Sequence, residues 1–202
     1  MARGMTASAP RRRLAPELRR EAFLDQAARL VLADGVSAVS MERLAREAGT
    51  SRALAYAYFE TRTELLRALL LREYAHFRDK GRRLLAEADG FEASVRATTE
   101  AWIDHVVERG ALIARLLHEP DIAAALEEVD AAGRANTIAW FGDGIVKRYG
   151  LPPERARMVA ELLMGLTGAA GAYAERTRAD RDMVVETTLA MIFAALERVA
   201  ET

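Results

Sequence analysis

The segment Ser51-Arg52-Ala53-Leu54-Ala55-Tyr56-Ala57-Tyr58 places an arginine, a leucine and two tyrosines within a very short stretch of chain. An arginine guanidinium bonds a guanine edge or a phosphate, a leucine meets a thymine methyl, and tyrosine hydroxyls bond phosphate oxygens. These residue types at this spacing suit contact with a nucleic-acid duplex. Tyr56 and Tyr58 equally suit packing against an apolar core, and their types alone leave both uses open.

Such contacts need a short helix held across a neighbour. Ser40 is placed to cap a helix from Met41 to Ala48, with Glu42 in its first turn and Gly49 just past its end. Thr50 or Ser51 caps the next, which reaches about Tyr58. Upstream, Pro16 suits a first helical position, and Phe23, Ala27, Leu30 and Val31 recur at spacings of three and four until Asp34-Gly35. Helix, glycine turn, short helix is the arrangement that lets a second helix enter a major groove. Leu44, Ala45, Ala48 and Phe59 then face a small core, while Arg52, Leu54 and Tyr56 point outward.

Beyond this unit, Thr61-Arg62-Thr63-Glu64 forms a capping box, with threonine and glutamate each satisfying the other's exposed backbone N–H. It opens a long helix with Leu66, Leu69, Leu70, Phe77, Leu84 and Leu85 as its core stripe. Breaks are predicted near Asp89-Gly90, Gly110 and Pro120 and between Tyr149 and Glu154, followed by two helices over 153–176 and 181–200. No segment sustains polar–apolar alternation, so the fold class is all-α.

The chain has 202 residues, 51% hydrophobic and 29% charged, with a net charge of -1. That composition is globular. With no cysteine, disulfides, thiolate metal sites and cysteine nucleophiles are excluded. No targeting segment is recognised, and the apolar run Leu162 to Ala174 falls short of the roughly 20 residues that span a bilayer, so a cytoplasmic protein without a membrane partner is expected. Charge is divided unevenly: residues 1–62 carry eleven arginines against seven acidic residues, and the remainder carries 18 basic against 23 acidic residues. A local basic end is the electrostatic footprint of polyphosphate binding, and is also compatible with ordinary solvated arginines.

Ser40 to Leu66, "SMERLAREAGTSRALAYAYFETRTELL", preceded by a helix ending in Ala33-Asp34-Gly35, resembles the N-terminal domain of the tetracycline-repressor (TetR) family of bacterial regulators over residues 16–70. The resemblance implies a three-helix helix-turn-helix domain over 16–62 and a helical regulatory, ligand-binding and dimerisation domain over 63–202, preceded by a segment over 1–15 whose arginine run reads as a flexible basic arm. Its DNA contacts map onto Arg52 after the turn serine, Tyr56 as the recurrent tyrosine, Tyr58 as an aromatic at the backbone, and Arg62 as a basic residue meeting a phosphate. With their neighbours these give an expected DNA-contacting set of Ser40, Thr50, Ser51, Arg52, Ala53, Leu54, Tyr56, Tyr58 and Arg62. Thr50, Ala55 and Ala57 depart from the family's usual side chains, which bears on base preference and contact area. Arg11, Arg12 and Arg13 read as a phosphate-following arm or as a solubilising tail.

The resemblance further implies a homodimer built on the last two helices, for which Leu162, Leu166, Ala169, Tyr173, Thr188 and Ile192 are candidates. Burial within one chain is the alternative for these apolar positions. Isologous pairing sets two recognition helices about one DNA turn apart, hence a palindromic double-stranded operator. A small-molecule effector, largely apolar, is expected against Trp102 and His105 on the fifth predicted helix and Asn136, Thr137, Trp140 and Phe141 on the seventh. No cofactor is expected. The function implied is a ligand-released repressor.

Two other classes fit parts of the sequence. A non-specific architectural DNA binder would use the same basic end without base preference. Glu73-x-x-His76 has the spacing of a di-iron bundle ligand pair, but it occurs once, and three histidines that share no predicted helix make a metal-dependent enzyme a poor fit. No nucleophile elbow, phosphate loop or dinucleotide fingerprint is present.

Overall fold

A computed structural model describes residues 15–201. The basic run at 11–13 lies outside the described residues. Eight α-helices follow one another among them: α1 Pro16–Asp34, α2 Met41–Glu47, α3 Arg52–Tyr58, α4 Arg62–Glu87, α5 Phe91–Leu117, α6 Pro120–Tyr149, α7 Pro153–Thr177 and α8 Arg181–Ala200, with one 3-10 turn at Val36–Ala38. Three of the starts carry proline in the first turn, where its missing N–H has no helical acceptor to lose.

Gly110 does not break the chain as its type predicts. α5 runs through it because α7 packs there: a Cβ at Gly110 would stand 3.6 Å from the Glu175 side chain and 3.3 Å from Val106. A mid-helix glycine costs about 1 kcal/mol relative to alanine, and close helix approach offsets it. The predicted helix between Gly110 and Pro120 is therefore the end of α5, and the residues assigned to a seventh helix lie on α6.

Two apolar clusters hold the helices. In the first, Phe23, Leu24, Ala27 and Val31 of α1, Leu44 and Ala45 of α2, Ala55 of α3, Phe59, and Leu65, Leu66, Leu69 and Leu70 of α4 are buried together. Leu112 and Leu116 of α5 and Ile122 of α6 belong to the same cluster, so its packing runs across residue 62 into the larger helical part. Each such leucine contributes about 1.5–3 kcal/mol by leaving water. The second cluster joins Ile103 of α5, Ile145 of α6, Val159 of α7 and Val185, Leu189, Ile192 and Leu196 of α8.

Polar contacts fasten the α5–α6 corner to α1 and α4. Arg115 donates from Nη1 to the carbonyls of Val31 at 2.5 Å and Leu32 at 2.7 Å, satisfying the C-terminal end of α1 with a cation where the helix dipole favours one. Arg67 donates from Nε to the Asp121 carbonyl at 2.7 Å. Farther along α4, the Tyr74 hydroxyl donates to Asp130 of α6 at 2.5 Å; burial first, then this bond, pushes the phenol up to about 12. No helix among the described residues is long and apolar enough to cross a membrane.

Candidate nucleic-acid interface

α2 ends in a hydrogen-bonded glycine turn. Gly49 has φ +61°, its N–H bonds the Arg46 carbonyl at 3.1 Å, and the Thr50 N–H reaches back to Ala45 at 2.9 Å. This is a Schellman closure, which needs a left-handed residue just past the helix. A Cβ at Gly49 would meet nothing within 4 Å, so only backbone conformation opposes a side chain there. Gly49→Ala is expected to lower stability by about 1–2 kcal/mol in denaturant titration while leaving the helical far-ultraviolet spectrum unchanged.

The serines act as caps. Ser40 Oγ accepts from the Arg43 N–H at 3.1 Å, and Ser51 Oγ accepts from the Leu54 N–H at 3.2 Å, which settles the choice between Thr50 and Ser51. Thr61 Oγ1 accepts from the Glu64 N–H at 3.0 Å; in return Glu64 takes the N–H of Glu60 at 2.6 Å, one residue earlier than the standard box.

α3 is seated by Ala55 and by Phe59 just past its end, both fully buried, with the Phe23 ring edge-on to Phe59 at 6.5 Å. Ser51, Arg52, Ala53, Tyr56 and Ala57 are left exposed on the outer side. Arg52 carries its guanidinium 2.7 Å from the Glu42 carboxylate, 3.4 Å from the Tyr56 hydroxyl and 5.3 Å over the Tyr56 ring. Arg52 and Tyr56 thus stand side by side on the open face, as their spacing predicts.

Three expected contacts sit differently. Leu54 does not point outward; it is half-buried against the first cluster, because a seven-residue helix needs more anchorage than Ala55 and Phe59 provide. Tyr58 is half-buried with its ring 5.5 Å from Phe23, so its ring packs in the core. Arg62 donates from Nε to Val39 O and from Nη2 to Val36 O, both at 2.9 Å, and lies 4.0 Å from Glu119. Its guanidinium ties the start of α4 to the turn before α2 and to the α5–α6 corner, a role that residue type and spacing do not reveal.

Elsewhere, Trp102 and His105 gather around Phe77, with ring centroids 5.2 and 4.7 Å from it. His105 lines an α4–α5 cleft of about 180 Å³ with Glu73, His76, Phe77, Lys80, Glu108 and Arg109. Glu73 is 2% exposed between Arg72 at 2.9 Å and Arg109 at 3.5 Å. Burial pulls the His105 imidazole below its ordinary value, against the opposing charge of Glu73. Glu73 and His76 share this cleft, yet no group of three or more acidic, histidine or cysteine side chains among the described residues is placed to hold a metal ion. Trp140 stands exposed on α6, as do Asn136 and Thr137, whose hydroxyl is spent on the Gly133 carbonyl at 2.9 Å. Phe141 packs on Phe91 at 6.3 Å. None of these four lines the cleft that His105 lines.

On the last two helices, Leu162, Tyr173, Met183 and Met191 are 65, 47, 57 and 52% exposed. Ala169 is exposed beside them and Leu166 is half-buried. Thr188 and Ile192 are buried within the chain, Thr188 donating to Val184 O at 2.7 Å. The outward register of α8 carries Met183, Thr187 and Met191, which with Leu166, Ala170, Tyr173, Val184 and Thr188 bound a groove of about 360 Å³, so Thr188, though buried, lines the groove and Ile192 does not.

Residues 23–69 match the bacterial regulatory proteins of the tetR family. The chain is 30% identical to the HTH-type transcriptional activator FasR of Mycolicibacterium smegmatis over 198 residues, 94% of this chain and 88% of that protein. It is 29% identical to the HTH-type transcriptional repressor LfrR of the same organism, over 87% of this chain and 88% of the relative. In three dimensions it is similar to a TetR-like transcriptional regulator from Rhodococcus sp. RHA1, with a TM-score of 0.72, 18% identity, and 91% and 98% of the two chains covered. With likeness over nearly its whole length and a helix-turn-helix at the matching residues, this chain belongs to the tetR family and is a DNA-binding transcriptional regulator.

Proposed function

We propose that the protein binds a palindromic operator as a homodimer and leaves it when a small molecule occupies the helical part. The observation that carries the reading is the pairing of two exposed surfaces: Arg52 and Tyr56 on the recognition helix, and the apolar outer face of α7 and α8. Contiguous apolar exposure of this kind marks a protein–protein surface. A self-complementary pairing of that face gives two recognition helices related by a two-fold axis, hence an inverted repeat. Ser51, Arg52, Ala53 and Tyr56 form the contact face, Thr50 and Ser40 hold its backbone, and Leu54, Tyr58 and Arg62 support it from behind.

The sign of regulation follows from where an operator lies relative to a promoter. The protein acts as a repressor where the operator overlaps the polymerase site. The two relatives, one named an activator and the other a repressor, are consistent with one binding mode serving both.

The α4–α5 cleft supports the effector reading. Its lining is charged and imidazole-rich around one aromatic ring, so the effector carries a polar group for Glu73, His105 or Arg109 and an apolar part for Phe77. Occupying it biases α4, whose first residue is tied to the turn before α2. A ligand that prefers the form with misplaced recognition helices releases DNA by its differential affinity. His105→Gln is expected to raise the concentration of a screened effector needed for half-release by about tenfold, the worth of one hydrogen bond, without altering operator affinity in its absence. Anisotropy titration of labelled operator measures both, and an unchanged half-release concentration removes His105 from the effector site.

A further inference from the structure

Glu42 stands out on the proposed DNA face because its charge opposes the phosphates. It lies in the first turn of α2, half exposed, and reaches across to the first residue of α3, where its Oε1 sits 2.7 Å from Arg52 Nη2. The same Nη2 is 3.4 Å from the Tyr56 hydroxyl, and the guanidinium lies 5.3 Å over the Tyr56 ring. Arg52 is therefore held from two sides by residues of two helices. Among the described residues its Nε and Nη1 hydrogens have no partner. A cation at the N-terminus of α3 is disfavoured by the helix dipole, and the Glu42 carboxylate offsets that term.

An arginine on an exposed helix samples many rotamers, and ordering it on a base edge loses that freedom. A carboxylate that holds it in advance reduces the loss for one docking geometry only. The same carboxylate penalises any docking that brings phosphates near it, which is the usual way an interface rejects wrong partners. Both effects act on the ratio between operator and unrelated duplex rather than on total affinity.

Resting on the operator-binding reading above, we infer that Glu42 is a positioning and selectivity residue for DNA: it presents Arg52 to a base edge and repels phosphate where that base is absent. Glu42 makes no base contact of its own in this account. It acts through Arg52.

The test uses the whole 202-residue wild-type chain and the variants Glu42→Gln, Arg52→Ala and Glu42→Gln/Arg52→Ala. Each is selected on random duplex DNA, then titrated against the wild-type site and an unrelated duplex across a salt series. Glu42→Gln is expected to bind unrelated duplex more tightly and to lose about tenfold in the ratio of operator to unrelated affinity, comparable to one degraded base contact. Its base preference should broaden at the same pair that Arg52→Ala broadens, and the double variant should broaden no further. A merely structural glutamate would shift stability but not the base preference at one pair. If wild type selects a site while Glu42→Gln keeps both its preference and its affinity ratio, the inference is overturned and the operator reading stands. If wild type selects no site, both fall together.

Discussion

Met191→Glu is expected to produce a monomer and to lower operator affinity by about 10²- to 10⁴-fold, the range over which linked binding of two half-sites exceeds that of one. Met191 is 52% exposed and lines the α7–α8 groove with Met183 and Tyr173. At the centre of an isologous contact, two such carboxylates would face one another across the two-fold axis, so the loss enters twice. Sedimentation velocity reports the mass, and anisotropy on the operator reports the affinity. A Met191→Glu protein that stays dimeric would place the interface away from the exposed face of α8.

Phe59→Ala is expected to destabilise the protein by about 3–5 kcal/mol, the usual loss for deleting a buried phenyl ring. Phe59 is fully buried, takes the Phe23 ring edge-on at 6.5 Å and lies beneath the Arg20 guanidinium at 5.1 Å. Its position makes the loss specific. α3 has seven residues and only Ala55 fully buried, so Phe59 is the main anchor at its C-terminal end. Thermal melting should shift downward, and slowly exchanging amides should be lost from α3 before the second cluster, which Phe59 does not touch. A melting curve within a few tenths of a kcal/mol of wild type would contradict the burial.

Much of the N-terminal unit was legible because its local chemistry and its packing agree. Ser40, Ser51 and Thr61 cap the helices they precede, Gly49 takes the positive φ that its turn requires, and Phe23, Leu44, Ala45 and Phe59 fill the core their spacing assigned. Where tertiary contacts override local preference, the sequence misleads. Gly110 continues α5 because α7 closes on it, and Arg62 turns toward the Val36 and Val39 carbonyls because α4 begins beside them. Ile192 looks no different from Met191 on a helix apolar over much of its circumference; only the direction of the second cluster decides which of them turns inward. The effector residues were the least legible. Trp102 and His105 meet Phe77 from α4, whereas Trp140 packs on Phe141 and Phe141 on Phe91, and residue type carries no information about convergence between helices.

The most direct test is selection of the purified 202-residue chain on random duplex DNA at near-physiological salt, where non-specific affinity is weak. An enriched inverted repeat, with half-site centres about one helical turn apart and lost in Arg52→Ala, is the result this account predicts. Salt-sensitive binding without any enriched sequence would contradict it and make the protein a backbone binder.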